Sequence, residues 1–349
     1  MNCCQETKTD LSQATAREGV SRRGLLKGAA GLAGAAAAGR AATGQAQETI
    51  RLAFCSQLLC VVPYEVTRSQ RFFEREGLNV ELVYTRGGNA AMQALVGGAV
   101  DYAATSFDVA VQAFANGAPI RRFATTGRLP LFALAVGPAQ ADEITAIADL
   151  QGKTVGVSGL GNADHTLLLF LLAEAGADAS QVEFATLGPN LFDALRIGHV
   201  DAGMVQEPAL SLIVEEGGKV LFNAMNIEDA ERYLGGPYEF MGVAYRAEER
   251  DQRLEEMRSL ARGLAAGLVF QRDAPVEALR NALPPELLVG GDGERFDEII
   301  LRYRGSLYPE TVAIDVSAAE RVVNSLRMSG VLQQDVDLGI LLDTEVVPS

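Results

Sequence analysis

Side chains able to do chemistry are sparse in this sequence, and their spacing excludes more than it offers. His165 is one of only two histidines, and the cysteines number four. An enzyme would need a nucleophile beside its base, a metal cluster or a cofactor motif. None of these, and no paired-carboxylate spacing, is found, so no catalytic residue, no metal and no cofactor are expected. The densest glycine cluster, Gly156-Val157-Ser158-Gly159-Leu160-Gly161, is neither a dinucleotide fingerprint nor a nucleophile elbow, which would need glycine where Leu160 stands. What remains is a small-residue loop opening an apolar helix, His165 to Glu174, a place suited to an anion. His165 either donates to a ligand there or merely starts the helix.

Polar residues at strand ends are the better candidates. The stretch Ala94–Asp108, ALVGGAVDYAATSFD, returns one hundred residues later as Ala194–Pro208, ALRIGHVDAGMVQEP, sharing Ala-Leu-x-x-Gly-x-Val-Asp. In each copy a helical run stops at a glycine, Gly98 or Gly198, which tolerates the left-handed conformation of a helix C-terminus. A short apolar strand follows and runs out into Ser106, Phe107 and Asp108 in one copy, Glu207 and Pro208 in the other. Such C-terminal strand ends are where open α/β sheets place ligands. Asp101 and Asp201 read as anchors of their turns, and Asp108 suits a helix N-cap as well as a ligand.

The elements that must position these residues follow from the same echo. Val80-Glu81-Leu82 matches Val182-Glu183-Phe184 before the two helices, and Ile50–Phe54 and Thr154–Val157 each read as a strand entering a polar loop. The expected fold class is α/β, as two lobes with strand ends facing each other; one large doubly wound sheet is the alternative. Between the first strands the sequence predicts a helix over Val66–Glu76, with Phe72 and Phe73 inward and Gly77 ending it. The exit of the second strand, Thr85-Arg86-Gly87-Gly88-Asn89, leaves helix N–H groups open to an anionic group. Two strand-like runs, Phe132–Val136 and Phe240–Tyr245, mark the crossings an inserted second lobe needs.

At 349 residues, 48% hydrophobic and 21% charged, the chain has the capacity for two globular domains. Its net charge of −15 becomes −18 without the first 46 residues, which carry six basic and three acidic side chains, and this argues against nucleic acid as a partner. Those residues read as a leader. Ser21-Arg22-Arg23-Gly24-Leu25-Leu26-Lys27 precedes an Ala/Gly run and a small-residue site ending at Ala46, which together look like a twin-arginine export signal. Periplasmic location follows, with cleavage near Ala46. Cys55 and Cys60 can pair in an oxidising compartment; if their loop is helical, the offset of five points them apart and two buried free thiols result.

Three runs carry a family likeness: Pro63-Tyr64-x-Val66, then Phe72-Phe73-x-x-Glu76-Gly77-Leu78-x-Val80-Glu81-Leu82, then Gly87-Gly88 followed by the Ala94 repeat. Together with Ala148-Asp149-Leu150-Gln151-Gly152-Lys153-Thr154-Val155-Gly156-Val157, they resemble the substrate-binding proteins of nitrate, sulfonate and taurine type ABC importers. The resemblance implies a type II periplasmic-binding-protein fold, with residues 47–136 and 241–349 as one lobe and 137–240 as the other. It implies a ligand between them held by Ser56, Gln57, Gly87, Gly88, Asn89, Ser106, Phe107, Asp108, Ser158, Gly159, Asn162, His165 and Glu207. The implied partners are a small organic anion and, transiently, an ABC permease at the inner membrane, with a monomer expected. The cysteines in the first loop depart from the family pattern. Two alternatives stay open: a pyrimidine-like or amine-bearing thiamine precursor as ligand, and an exported α/β enzyme.

Overall fold

The computed structural model of the protein describes residues 48–288 and 292–347. The twin-arginine segment, Cys3, Cys4 and the cleavage point read from the sequence lie outside the described residues. Two five-stranded sheets organise the chain. In spatial order the first comprises β2 (Asn79–Thr85), β1 (Thr49–Cys55), β3 (Tyr102–Ser106), β10 (Met241–Arg246) and β4 (Ile120–Thr125). The second comprises β7 (Glu183–Thr186), β6 (Thr154–Val157), β8 (Ala202–Val205), β5 (Ala133–Val136) and β9 (Lys219–Asn223). The parallel trio β2-β1-β3 is matched by β7-β6-β8, and each sheet takes in one antiparallel strand, β10 or β5.

Helices α1 (Leu58–Ser69), α2 (Phe72–Arg75), α3 (Gly88–Val96) and α4 (Phe107–Ala115) alternate with the strands of the first sheet; α5 (Ala163–Glu174), α6 (Leu191–Arg196), α7 (Ala209–Glu215) and the short α8 (Ile227–Asp229) follow those of the second. The repeat is structural. Gly98 and Gly198 sit at φ 73° and 76° after α3 and α6, conformations in which a side chain would be strained. Asp101 and Asp201 accept the backbone N–H of Arg51 and Thr154, each at 2.8 Å, tying the repeat to the first parallel strand of its own sheet.

The structure corrects three expectations. Helix α1 begins earlier than predicted and ends at Ser69; Arg71 at φ 59° breaks the run before α2. The apolar residues Leu58–Val62 are buried, so packing rather than turn chemistry decides that stretch. Pro63 removes the N–H that would bond the Leu59 carbonyl, and the Tyr308 hydroxyl replaces it at 3.0 Å. The strand Ala133–Val136, placed by sequence in the first lobe, pairs with β8 and β9 in the second sheet, so the chain crosses before it rather than after. Cys55 closes β1 and Cys60 lies in α1, so the helical-offset argument fails and the two are joined as a disulfide.

The two crossing segments, residues 126–132 and 224–240, run side by side. Phe240 and Tyr238 donate N–H bonds to the carbonyls of Gly127 and Arg128 at 3.0 and 2.9 Å, and Gly127 returns one to Met241 at 3.0 Å. Beneath them Arg122 is fully buried, donating to the Thr105 and Phe240 carbonyls and to the Glu239 carboxylate at 3.1, 2.8 and 2.8 Å. The C-terminal helices buttress this hinge: α9 (Arg250–Asp273), α10 (Val276–Arg280), α11 (Gly293–Leu307), α12 (Val316–Met328) and α13 (Leu338–Leu341). Of these α9 packs on α1 and α2, while α12 touches α4 and α5 and so reaches helices of both sheets. Tyr303 of α11 accepts a buried 3.0 Å bond from Asn223, and Tyr238 meets Ser325 of α12 at 2.7 Å.

Candidate ligand-binding cleft

The carboxyl ends of β1, β2, β3, β6 and β8 open on a cleft made of two adjoining halves. One is lined by Cys55, Gln57, Cys60, Arg86, Gly87, Gly88, Thr105, Ser106 and Val109 from the first lobe and by Ser158, Asn162, Ala163, Asp164 and Gln206 from the second, with Phe132, Phe240 and Met241 at the hinge. The other shares Gln57, Phe132, Ser158, Asp164 and Gln206 with the first and continues past Pro189, Leu191, Phe192 and Met204 to Glu207.

Of the residues read from the sequence, this brings together Gln57, Gly87, Gly88, Ser106, Ser158 and Asn162, with Glu207 at the far end. The rest stand elsewhere. Ser56 is exposed and gives its N–H to Thr85 at 3.0 Å. Phe107 is wholly buried, its ring 5.2 Å beneath the Arg122 guanidinium. Asn89 and Gly159 do not line either half; the Asn89 amide lies beside Gly161. His165 Nδ1 accepts the Gly161 N–H at 3.2 Å, its ring meets Phe184 edge-on at 4.9 Å, and burial lowers its pKa. That histidine is a neutral loop anchor.

Asp108 also leaves the cleft. Ser106 is the N-cap of α4, and Asp108, 2% exposed, accepts the Thr166 hydroxyl of α5 at 3.0 Å. It bonds the two lobes behind the cleft instead of a ligand within it, and burial raises its pKa. Its second oxygen has no partner among the described residues.

Sequence reasoning missed Asp164, Gln206 and the hinge aromatics. Asp164 is completely buried and accepts the Ser158 N–H and hydroxyl at 2.5 and 2.7 Å, while Asn162 donates to the Ser158 oxygen at 3.0 Å. Asp164 is itself the acidic residue of the first turn of α5, so the anion place expected at that helix start is occupied by the protein's own carboxylate. The signal was a carboxylate at the second position of a helix after a serine-glycine loop. Gln206 Oε1 is buried without a partner among the described residues.

The first turns of the helices sort the electrostatics. Asp108 and Asp164 occupy those of α4 and α5, but α1 and α3 carry no acidic residue there. Arg86 stands beside α3, exposed on the cleft wall. The positive end of the cleft is therefore the Gln57 and Arg86–Gly88 side, where helix N–H groups and a guanidinium converge. Its acceptor end is Gln206 and Asp164.

Two substitutions test these assignments. Burial pushes the Asp164 carboxyl up to about 6 from 3.8, against the pull of the Ser158 bonds. A raised pKa means a stability contribution present below about pH 4 and lost as pH rises through about 6. The stability of the native protein minus that of Asp164→Asn should thus fall by on the order of 3 kcal/mol from pH 4 to 7. Paired urea titrations at the two pH values check it, and a constant difference would remove Asp164 from the account. Glu207 bonds the Ser211 N–H and hydroxyl, both at 3.1 Å, and so caps α7. Glu207→Ala is expected to lower unliganded stability by about 1 kcal/mol and to leave affinity for a cleft ligand within a factor of about three.

A family model described as NMT1/THI5 like matches residues 61–278. The chain belongs to the NMT1/THI5-like family. No curated protein matches it. Among solved structures, a protein of Bordetella bronchiseptica RB50 is 23% identical, with TM-score 0.77 over 85% of this chain and 95% of that one. The alkanesulfonate-binding protein SsuA from Xanthomonas axonopodis pv. citri, bound to MOPS, is 18% identical, with TM-score 0.65 over 85% and 99%. The periplasmic nitrate-binding protein NrtA from Synechocystis PCC 6803 is 14% identical, with TM-score 0.68 over 86% and 87%. These similar structures bear out the two-lobed type II periplasmic-binding-protein architecture expected from the sequence.

Proposed function

We propose that the protein is the solute-binding component of an ABC importer, capturing a small organic anion between its lobes and handing it to the membrane permease. The observation that carries this is the polarity of the cleft: acid-free helix starts and Arg86 on one lobe, acceptors on the other. An anionic head belongs at Gly87, Gly88 and Arg86. Gln206 Oε1 asks for a hydrogen-bond donor elsewhere on the same ligand, which a hydroxyl or amino substituent supplies and nitrate lacks. The role is binding without catalysis: both Asp164 oxygens are held by Ser158, and His165 is committed to Gly161, so neither acts as base toward a cleft ligand. Export by the twin-arginine route to the periplasm, with cleavage near Ala46, completes the reading.

A thermal-shift panel of nitrate, short alkanesulfonates, taurine, hydroxyalkanesulfonates and carboxylates tests it. A true ligand at about one hundred times its Kd should stabilise the protein by roughly 2.7 kcal/mol, and substituted organic anions should rank above nitrate. Stabilisation by cationic amines alone would overturn the anion assignment.

A further inference from the structure

The disulfide at the cleft wall is the feature that solute capture by itself does not require. It joins the last residue of β1 to the third of α1 with Cα atoms 6.2 Å apart, and both cysteines line the half of the cleft that holds Arg86, Gly87 and Gly88. Of the residues it encloses, Leu58 and Leu59 are buried, whereas Gln57 faces both halves of the cleft. The Gln57 side chain makes no capping bond; its carbonyl accepts the N–H groups of Cys60 and Val61 at 3.0 and 3.1 Å. The ring is also coupled to the neighbouring loop. Ser56 bonds the Thr85 carbonyl, and the Thr85 hydroxyl lies 2.9 and 3.0 Å from the Phe54 and Gly87 carbonyls.

A bridge serving only global stability gains from closing a long loop, because loop-closure entropy grows with ring size. This one closes a very short loop, at the place where two acid-free helix starts face the cleft. Its restraint is local, and what it restrains is a ligand-facing side chain and the start of α1.

We propose that the Cys55–Cys60 disulfide is a positioning element of the ligand site. It holds Gln57 and the first turn of α1 against the Arg86–Gly88 loop, so the oxidised protein binds without first ordering that wall. The proposal rests on the cleft being the solute site.

The test compares three forms of the mature protein: isolated without reductant, treated with dithiothreitol, and the variant Cys55→Ser/Cys60→Ser. Dithiothreitol gives two electrons and two protons to the S–S bond, leaving two thiols and its own cyclic disulfide. 3-Hydroxypropane-1-sulfonate, an anion that also carries a donor, serves as the calorimetric probe, and amide hydrogen exchange is followed in parallel without ligand. Reduction and the double variant should each weaken 3-hydroxypropane-1-sulfonate binding by about tenfold and speed exchange in residues 56–61 and 86–89 while the second sheet keeps its rates. Equal affinity and equal exchange in the oxidised and reduced forms would overturn the proposal, as would a lowered melting temperature with affinity unchanged, the signature of a mere staple. Peptide mapping that finds both thiols free in the unreduced protein would overturn it too. If 3-hydroxypropane-1-sulfonate fails to bind even the oxidised form, the anion reading is what fails, and the exchange comparison still decides whether the bridge orders the wall.

Discussion

Arg122→Met is expected to destabilise the protein by about 3–5 kcal/mol, the largest loss from any single substitution considered. Arg122 and Glu239 are 0% and 1% exposed and pair at 2.8 Å beneath the hinge. Burial pushes the Glu239 carboxyl up, and the attraction of Arg122 opposes it. Methionine fills much of the arginine's volume, but it leaves Glu239 without its cation and the Thr105 and Phe240 carbonyls without a donor. An unpaired buried charge costs far more than the pair itself contributes, so adding Glu239→Gln to Arg122→Met should recover about half of the loss. Gly242 reports on the same packing, since a Cβ there would overlap the Arg122 guanidinium and the Ala124 carbonyl. Urea denaturation of the single and double variants measures the effect; a loss under about 1 kcal/mol for Arg122→Met would show that the crossing segments are held by their backbone bonds alone.

Gly88→Val is expected to weaken binding of the best anion in the panel by about a hundredfold while changing unliganded stability by less than about 1 kcal/mol. Gly88 opens α3 and lines the cleft, and a Cβ built there lies 3.5 Å from a Val109 methyl and 3.8 Å from the Ser106 hydroxyl, ordinary contacts that need no rearrangement. Valine's two further methyls then occupy the space over the helix N–H groups that an anion's oxygens need. Fold and site separate here, because a helix start tolerates valine at small cost. Calorimetric titration and thermal denaturation of one preparation give both numbers. Affinity retained within a factor of about three would move the anion away from α3.

Much of the architecture was legible because it is written twice. The glycine stops and the Asp101 and Asp201 anchors need only local conformation and one backbone bond each, and such features repeat wherever the unit repeats. The start of α1 was not legible, since its apolar run has no helical period of its own and buries on nearly every side. Nor was the placement of Ala133–Val136: a short buried strand reads the same in either sheet, and its partners β8 and β9 come roughly seventy and ninety residues later.

In the site the loops were legible and the side chains only in part. Gln57, Gly87, Gly88, Ser106, Ser158 and Asn162 follow strand ends, where topology alone predicts the cleft. Asp108 and His165 also follow strand ends, by two and eight residues, but the side chains of helix starts can turn inward, and both do, to Thr166 and Gly161. Asp164 and Gln206 matter because of what surrounds them. A carboxylate that occupies its own helix start, and an amide oxygen left without a donor among the described residues, are properties of packing that strand ends do not announce.

A crystal structure of the mature protein with the tightest-binding anion of the panel tests the central claim most directly. The account predicts the anionic head within hydrogen-bond distance of the Gly88 N–H and the Arg86 guanidinium, and a donor of the same ligand on Gln206 Oε1, with both lobes in contact. A ligand seated with its charge against the Asp164 side, or bound outside the space between the two sheets, would contradict it.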